Sequence, residues 1–313
     1  MAATRREGPG GGEWVVGPGE VGWRLDAFVA AALGTSRSRA RTLLGRGAIR
    51  LEGRPVELGA KGTALREGQR VSAEGLPEPR QERPVPEPER SLQILAEGPG
   101  WLAVEKPPGV PVHPLAPEET GTVLNALVAR RPGIFGVGEG GLRSGVVHRL
   151  DVETSGVLLF ATEPGSWQRL RRGFRRHRVR KTYRALVHGH LEGAGELRLA
   201  LQVARHRPAR VRVVEPGAPD YGRTRPTRLG WRALIRLHSA TLVEVRPVTG
   251  FLHQVRASLA WLGHPLLGDP TYGGERSPWA PRHLLHASHL AFGPVQAASP
   301  DPEDFRQALR RLG

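Results

Sequence analysis

Between Leu76 and Arg90 the chain can form neither a helix nor an inner strand. Pro77, Pro79, Pro84, Pro86 and Pro88 alternate with charged residues, and each proline fixes φ and removes an amide donor. Proline-rich chain of this kind is semi-extended and separates what lies on either side of it. The sequence therefore divides into a small segment, residues 14–76, a linker, residues 77–90, and a large segment, residues 91–313. The 313 residues leave room for about two domains.

Composition narrows the class. The chain carries 46 Lys plus Arg against 30 Asp plus Glu, a net charge of +16. A surface this basic favours polyanions, nucleic acid above all. Lys61, Lys106 and Lys181 are its only lysines. Biased coding explains arginine over lysine but not the excess of cations over acids. There is no cysteine, which excludes disulfides, thiolate metal sites and a cysteine nucleophile and fits a reducing compartment, so a cytoplasmic location is expected. No stretch approaches the ~20 apolar residues that span a bilayer. The glycine-rich start, residues 1–12, has no apolar run after Arg5 and Arg6 and does not read as a secretory signal.

In the small segment Leu25, Phe28, Val29 and Leu33 recur at helical spacing. Gly34 can close that helix and Ser36 can cap a second, 37–44, on which Arg37 and Arg41 share a face. Residues 48–51 alternate like a strand, Glu52-Gly53 reads as a hairpin turn, and 54–58 return. Six arginines lie between Arg37 and Arg54 against one carboxylate, Glu52. They are either RNA contacts or solvated charges on a packing domain. The order of elements, with Arg24-Leu25-Asp26, Ser36-Arg37-Ser38-Arg39-Ala40 and the Gly47–Gly53 run, resembles the alpha-L RNA-binding domain, the type found in ribosomal protein four of the small subunit. That resemblance implies that Arg37 and Arg41 contact RNA.

The large segment reads as strands with helices between them, and 122–130 and 253–261 read as helices. Its most specific run is Val147-His148-Arg149-Leu150-Asp151-Val152-Glu153-Thr154-Ser155-Gly156. Here a loop can present the Asp151 carboxylate while Thr154 and Ser155 supply hydroxyl or backbone donors to it. Such a carboxylate can be a nucleophile, an acid–base group, or part of a surface turn. Residues 169–184 hold nine cations and no carboxylate, including Arg175 and Arg176, and residues 205–236 hold nine arginines. Both stretches suggest the RNA path; the alternative for the first, a solvated helix face, normally mixes acids with bases. His283, His286 and His289 recur every three residues. That spacing could place them on one face of a helix, but no carboxylate lies nearby to complete a metal site.

The run from His148 to Gly156 resembles the catalytic loop of the RluA-type pseudouridine synthases, His-Arg-Leu-Asp-x-x-Thr-Ser-Gly, at every fixed position. Four further blocks follow the family's order: Lys106-Pro107-Pro108-Gly109 through His113-Pro114, Lys181-Thr182-Tyr183-Arg184-Ala185, His253-Gln254-Val255-Arg256 with Gly263–Asp269, and Leu285-His286-Ala287. The resemblance implies an α+β protein: a helix-hairpin RNA-binding domain followed by a mixed, mainly antiparallel catalytic sheet. It also implies a strand around Leu285-His286-Ala287, on which His283, His286 and His289 face different ways and hold no metal. It implies that a uridine in RNA is detached from its sugar, turned and rejoined through C5, with no metal or organic cofactor. Asp151 would attack, Tyr183 stack on uracil and Arg256 pair with Asp151. A cation beside a carboxylate favours its charged form. Arg149 would fill the space left by the flipped base, and Lys106, Arg175 and Arg176 would meet RNA. The expected partner is ribosomal rather than transfer RNA, with a monomeric enzyme and no membrane. The rivals are a ribosome-assembly protein that binds RNA without catalysis, and a carboxylate glycosidase with Glu153 as second acid. One departure stands out: Gly250-Phe251-Leu252 occupies the place of the family's Gly-Arg-Thr.

Overall fold

The computed structural model describes residues 5–8, 11–33, 37–74, 82–206 and 208–313. Gly34 and Ser36, expected to close one helix and cap the next, lie outside the described residues. So do Pro77 and Pro79 of the linker and the side chains of Ser38 and Arg39. The chain separates into two compact units, Met1–Glu82 and Arg83–Gly313.

The first unit contains β1 (Arg5–Gly8), β2 (Gly11–Val15), α1 (Leu25–Ala32), α2 (Arg37–Gly45), β3 (Ile49–Leu51), β4 (Arg54–Pro55) and β5 (Arg70–Ala73). The strands form one sheet in the order β1-β2-β5-β3-β4. Leu25, Phe28 and Val29 of α1 and Ala40, Leu43 and Leu44 of α2 bury against Trp14, Ile49 and Val71 of that sheet. Glu52 and Gly53 both take positive φ, as a tight hairpin between twisted strands requires. Asp26 is fully buried. It takes Arg41 Nε at 2.7 Å and Arg24 Nε at 3.2 Å, with Arg37 Nη2 at 3.8 Å. One buried carboxylate thus gathers three arginines whose heads stay half-exposed.

The second unit begins with extended chain that packs onto it. Asn125 Nδ2 donates to Val85 O at 2.7 Å, and Gly121 N donates to Glu87 Oε2 at 2.7 Å. Its elements are β6 (Ile94–Gly98), β7 (Trp101–Lys106), α3 (Val123–Arg130), β8 (Ser155–Ala161), α4 (Pro164–Arg175), β9 (Arg180–His188), β10 (Ala194–His206), β11 (Ala209–Val213), β12 (Arg225–Arg236), β13 (Ala240–Pro247), α5 (Gln254–Trp261), β14 (Leu285–Phe292), β15 (Val295–Ala298) and α6 (Glu303–Leu312). Among the described residues the sheet runs β11-β10-β12-β13-β9-β14-β8-β7-β6, with β15 on β14. Every pairing is antiparallel except β14 with β8, so the mixed, mainly antiparallel α+β class holds.

Alternation along the strands sets what each face does. Val243 and Val245 of β13 and Ala185 and Val187 of β9 pack under Val255 and Leu259 of α5. The opposite face of the same strands, with Leu186, Ala240 and Leu242, packs on Phe305 and Ala308 of α6. The parallel pair brings the strand after the catalytic-type loop against the Leu-His-Ala strand, His286 opposite Ser155 and Ala287 opposite Gly156. Gly156 has φ +114°, and a Cβ there would sit 2.2 Å from Ala287 O. Glycine is what allows the two strands to meet at the mouth of the site.

Candidate active site

Asp151 sits in the loop before β8 and lines a cleft of about 950 Å³. The loop is pinned through its backbone. Thr154 N closes a turn onto Asp151 O at 3.0 Å. Lys106 Nζ and Gly109 N both donate to Val152 O, at 2.6 and 3.0 Å. Arg282 Nη1 donates to Glu153 O at 2.7 Å, and Arg282 is itself held bidentately by Asp304 of α6. The sequence suggested that hydroxyl or backbone donors of Thr154 and Ser155 cap the carboxylate. The Thr154 amide goes to the Asp151 backbone carbonyl instead. Nor do the hydroxyls cap it: both are buried, Thr154 bonded to His283 at 2.9 Å and Ser155 to His286 at 3.0 Å. Burial lowers the His283 imidazole to about 2 and displaces His286 downward as well. The two act as uncharged polar supports beneath the loop.

α5 delivers the cation. Arg256 is 7% exposed. Its Nε and Nη2 form a fork onto Asp269, at 2.7 and 2.8 Å, which leaves Nη1 free to reach Asp151 Oδ2 at 3.2 Å. Burial works against the guanidinium's charge, but the Asp269 fork and the Asp151 carboxylate more than offset it and raise its pKa. Asp269 follows Gly268, whose φ of +74° and closeness to Arg282 O, 2.0 Å from a would-be Cβ, admit no side chain. His253 is the residue before the helix and adopts left-handed backbone, φ 51°. It therefore precedes the helix that the sequence placed over 253–261, yet its Nε2 still lies 3.9 Å from Asp151 Oδ2. Burial lowers its pKa, opposed by Asp151 and assisted by Arg256. Its Nδ1 is bonded to Tyr272 Oη at 3.0 Å.

Tyr183 on β9 and Leu285 on β14 line the same cleft as Asp151. Burial, with Asp151's negative charge added, pushes the Tyr183 phenol up, so the ring reaches the site as a neutral phenol. Lys181, two residues earlier, also lines the cleft and donates to Thr249 O at 2.9 Å. Burial lowers it to about 8.

The residues expected to meet RNA fall into three groups. Arg149 and Arg175 are exposed on the cleft, and Arg176 is exposed at the end of α4. Arg37 and Arg41 belong to the first unit, on Asp26. Lys106 corrects the sequence expectation. It is fully buried and gives its three donors to Pro107 O, Val110 O and Val152 O, at 2.8, 2.7 and 2.6 Å. That leaves it nothing to offer a phosphate, and it serves the loop from below. Asp269, Tyr272 and Arg282 were not singled out from sequence. Asp269 was readable only as the last residue of the Gly263–Asp269 block, and Tyr272 only as a residue just after it.

Residues 100–261 match the RNA pseudouridylate synthase family. The ribosomal large subunit pseudouridine synthase D of Zymomonas mobilis is 32% identical over 309 residues, spanning 93% of this chain and 94% of that protein. RNA pseudouridine synthase 2, chloroplastic, of Oryza sativa is 30% identical, spanning 100% of this chain and 85% of that protein. The solved structure of human RNA Pseudouridylate Synthase Domain Containing 1 superposes with a TM-score of 0.55 at 28% identity, covering 68% of this chain and 84% of that one. The family match and the relatives that align along nearly its whole length show that the chain belongs to the RNA pseudouridylate synthase family. It is a pseudouridine synthase, and RNA is its substrate.

Proposed function

We propose that the protein converts uridine to pseudouridine in large-subunit ribosomal RNA, with Asp151 as the attacking carboxylate. The observation that carries this reading is the single bond from Arg256 Nη1 to Asp151 Oδ2, made by a guanidinium already fixed by Asp269. A carboxylate held by one donor on one oxygen keeps its other oxygen for the substrate. The target nucleotide must leave the stack to reach the cleft, at a cost of a few kcal/mol that is least in loops. In the cleft the Asp151 carboxylate bonds to C1′ as the C1′–N1 bond breaks, the uracil turns over the Tyr183 ring, and C5 bonds to C1′ as the C1′–carboxylate bond breaks. The C5 proton departs and N1 gains one, so product and substrate are isomers. Arg256 steadies negative charge on Asp151 whenever the carboxylate is released.

Arg149 enters the space vacated by the base, while Arg175 and Arg176 on α4 hold the phosphate chain. Arg37 and Arg41, gathered on Asp26, contact RNA from a first unit of alpha-L type. The large-subunit assignment is supported by the names of relatives that match along nearly the whole chain. The test is release of tritium from C5-labelled uridine in large-subunit rRNA and in bulk tRNA, each stripped of pseudouridine by transcription in vitro. Release from the rRNA alone is expected. Release from tRNA alone would transfer the activity to tRNA.

A further inference from the structure

Uridine isomerisation does not explain Phe251-Leu252, which stands where the family has Arg-Thr. Both side chains are half-buried, and what buries them is the hairpin formed by β10 and β11. Leu201 pairs with Val213 and Val203 with Val211, so Leu199, Leu201, Val203, Val211 and Val213 form one apolar face. That face packs on Ala257 of α5 and on Phe251, Leu252 and Tyr272. Val211 N donates to Tyr272 Oη at 2.8 Å, the same hydroxyl that bonds His253. The hairpin is thereby tied to the turn that brings His253 and Arg256 to Asp151. An arginine at 251 would set a charge against Leu201 and Val211, which are almost fully buried, at a desolvation cost that phenylalanine avoids.

The far end of the hairpin reaches the cleft. Pro208 and Ala209 line it beside Phe251 and Leu252. Next to them in the hairpin, Arg205 and Arg210 pair across the two strands just past a bulge at Ala204, and both are exposed. Like charges directly opposite each other are destabilising. An anion seated between them removes that cost. Arg205 Nε is occupied by Pro208 O at 3.1 Å, which aims the guanidinium along the hairpin end. Here the polyanion is the RNA strand itself.

We infer that the β10–β11 hairpin is a docked wall of the cleft that grips the phosphodiester chain next to the target uridine through Arg205 and Arg210, and that Phe251 and Leu252 are the positioning residues that hold it there. The inference rests on the reading of the cleft as the uridine site and adds to it the route of the flanking strand. Because the dock is apolar, salt weakens the grip on RNA without loosening the hairpin.

Three variants of the full-length protein test this: Arg205→Ala with Arg210→Ala, Phe251→Arg with Leu252→Thr, and Leu252→Ala as a milder form should the second not fold. Each is measured for equilibrium Kd on a target RNA across a salt series, single-turnover rate at saturating RNA, and amide exchange over residues 203–213. The arginine pair variant should raise Kd several-fold and flatten the salt dependence by up to about two units of log-log slope. Its loss should fall on Kd and not on the single-turnover rate. The dock variants should raise Kd similarly and also speed exchange at Val211. Unchanged Kd and slope in the arginine variant would overturn the grip. Unchanged exchange in the dock variants would overturn the role of Phe251 and Leu252. Failure of the wild-type protein to form pseudouridine would strike the underlying reading instead, and the Kd arm would still decide whether the hairpin holds RNA.

Discussion

Replacing Arg256 with lysine separates its two duties. The guanidinium spends Nε and Nη2 on Asp269, which is 1% exposed, and Nη1 on Asp151, which is a quarter exposed. An ammonium is a compact point charge and cannot reproduce the planar fork. It should stay with the more deeply buried Asp269 and abandon Asp151. Losing one charge-assisted bond of the buried fork costs about 1.5–3 kcal/mol. For a unit of this size that lowers Tm by roughly 3–12 °C, at about 2–4 °C per kcal/mol. Losing a preorganised donor at the reacting group costs about 2.7–4 kcal/mol of barrier, a fall of roughly 100- to 1000-fold in rate. Alanine in the same place should be harsher for folding, about 3–5 kcal/mol, because Asp269 is left as an uncompensated buried charge. The assay is single-turnover pseudouridine formation at saturating RNA alongside thermal unfolding. A lysine variant with wild-type rate would refute the pairing with Asp151, and one with wild-type Tm would refute the fork as the anchor.

Lys106→Met should destabilise the catalytic unit by leaving three carbonyls unpaired, read as a fall in denaturation midpoint. Burial first, then the nearby Arg282, lowers Lys106 from 10.5 to about 7. Between about pH 7 and 10.5 the unfolded chain thus binds more protons than the folded one, so this group makes stability rise with pH, by at most about 1.4 kcal/mol per unit. The variant should lack that rise, and matching pH slopes in the two proteins would exclude it. Removing residues 1–82 should leave a folded catalytic unit, with the far-UV spectrum of the second unit kept. If Arg37 and Arg41 meet RNA, the truncated protein should also show a shallower salt dependence, by about one unit of slope for each lost phosphate contact. Parallel slopes would show that the first unit does not touch RNA.

The elements legible in sequence were those whose pattern is local. The helical spacing of Leu25, Phe28 and Val29 and the Glu52-Gly53 turn both appear where the local pattern put them. The long strands β10 and β12 were not legible. Their outward positions are arginines balanced by Glu196 and Glu244 across the sheet, so a charge-rich stretch conceals a strand. α6 escaped for a different reason: Phe305 and Ala308 pack on Leu186, Ala240 and Leu242 of strands remote in the sequence as well as on Leu284. At the site, motif order marked Asp151, Tyr183 and Arg256 as a group. It could not show that Lys106 points inward, since a lysine before Pro-Pro-Gly reads equally well as a surface cation until Val152 O comes within 2.6 Å. Nor could it reveal the Asp269 fork, which depends on the loop after α5 folding back over the helix start.

The most direct measurement is pseudouridine formation by Asp151→Asn on large-subunit rRNA, at an RNA concentration where the variant is shown to bind as the wild type does. Asparagine keeps the size of the side chain and an oxygen for Arg256 Nη1 while removing the nucleophile. The variant should bind as the wild type does and form no pseudouridine above background at any site, while the wild-type protein modifies discrete uridines. Pseudouridine formed by the variant at the wild-type sites would contradict it and take the reaction away from Asp151.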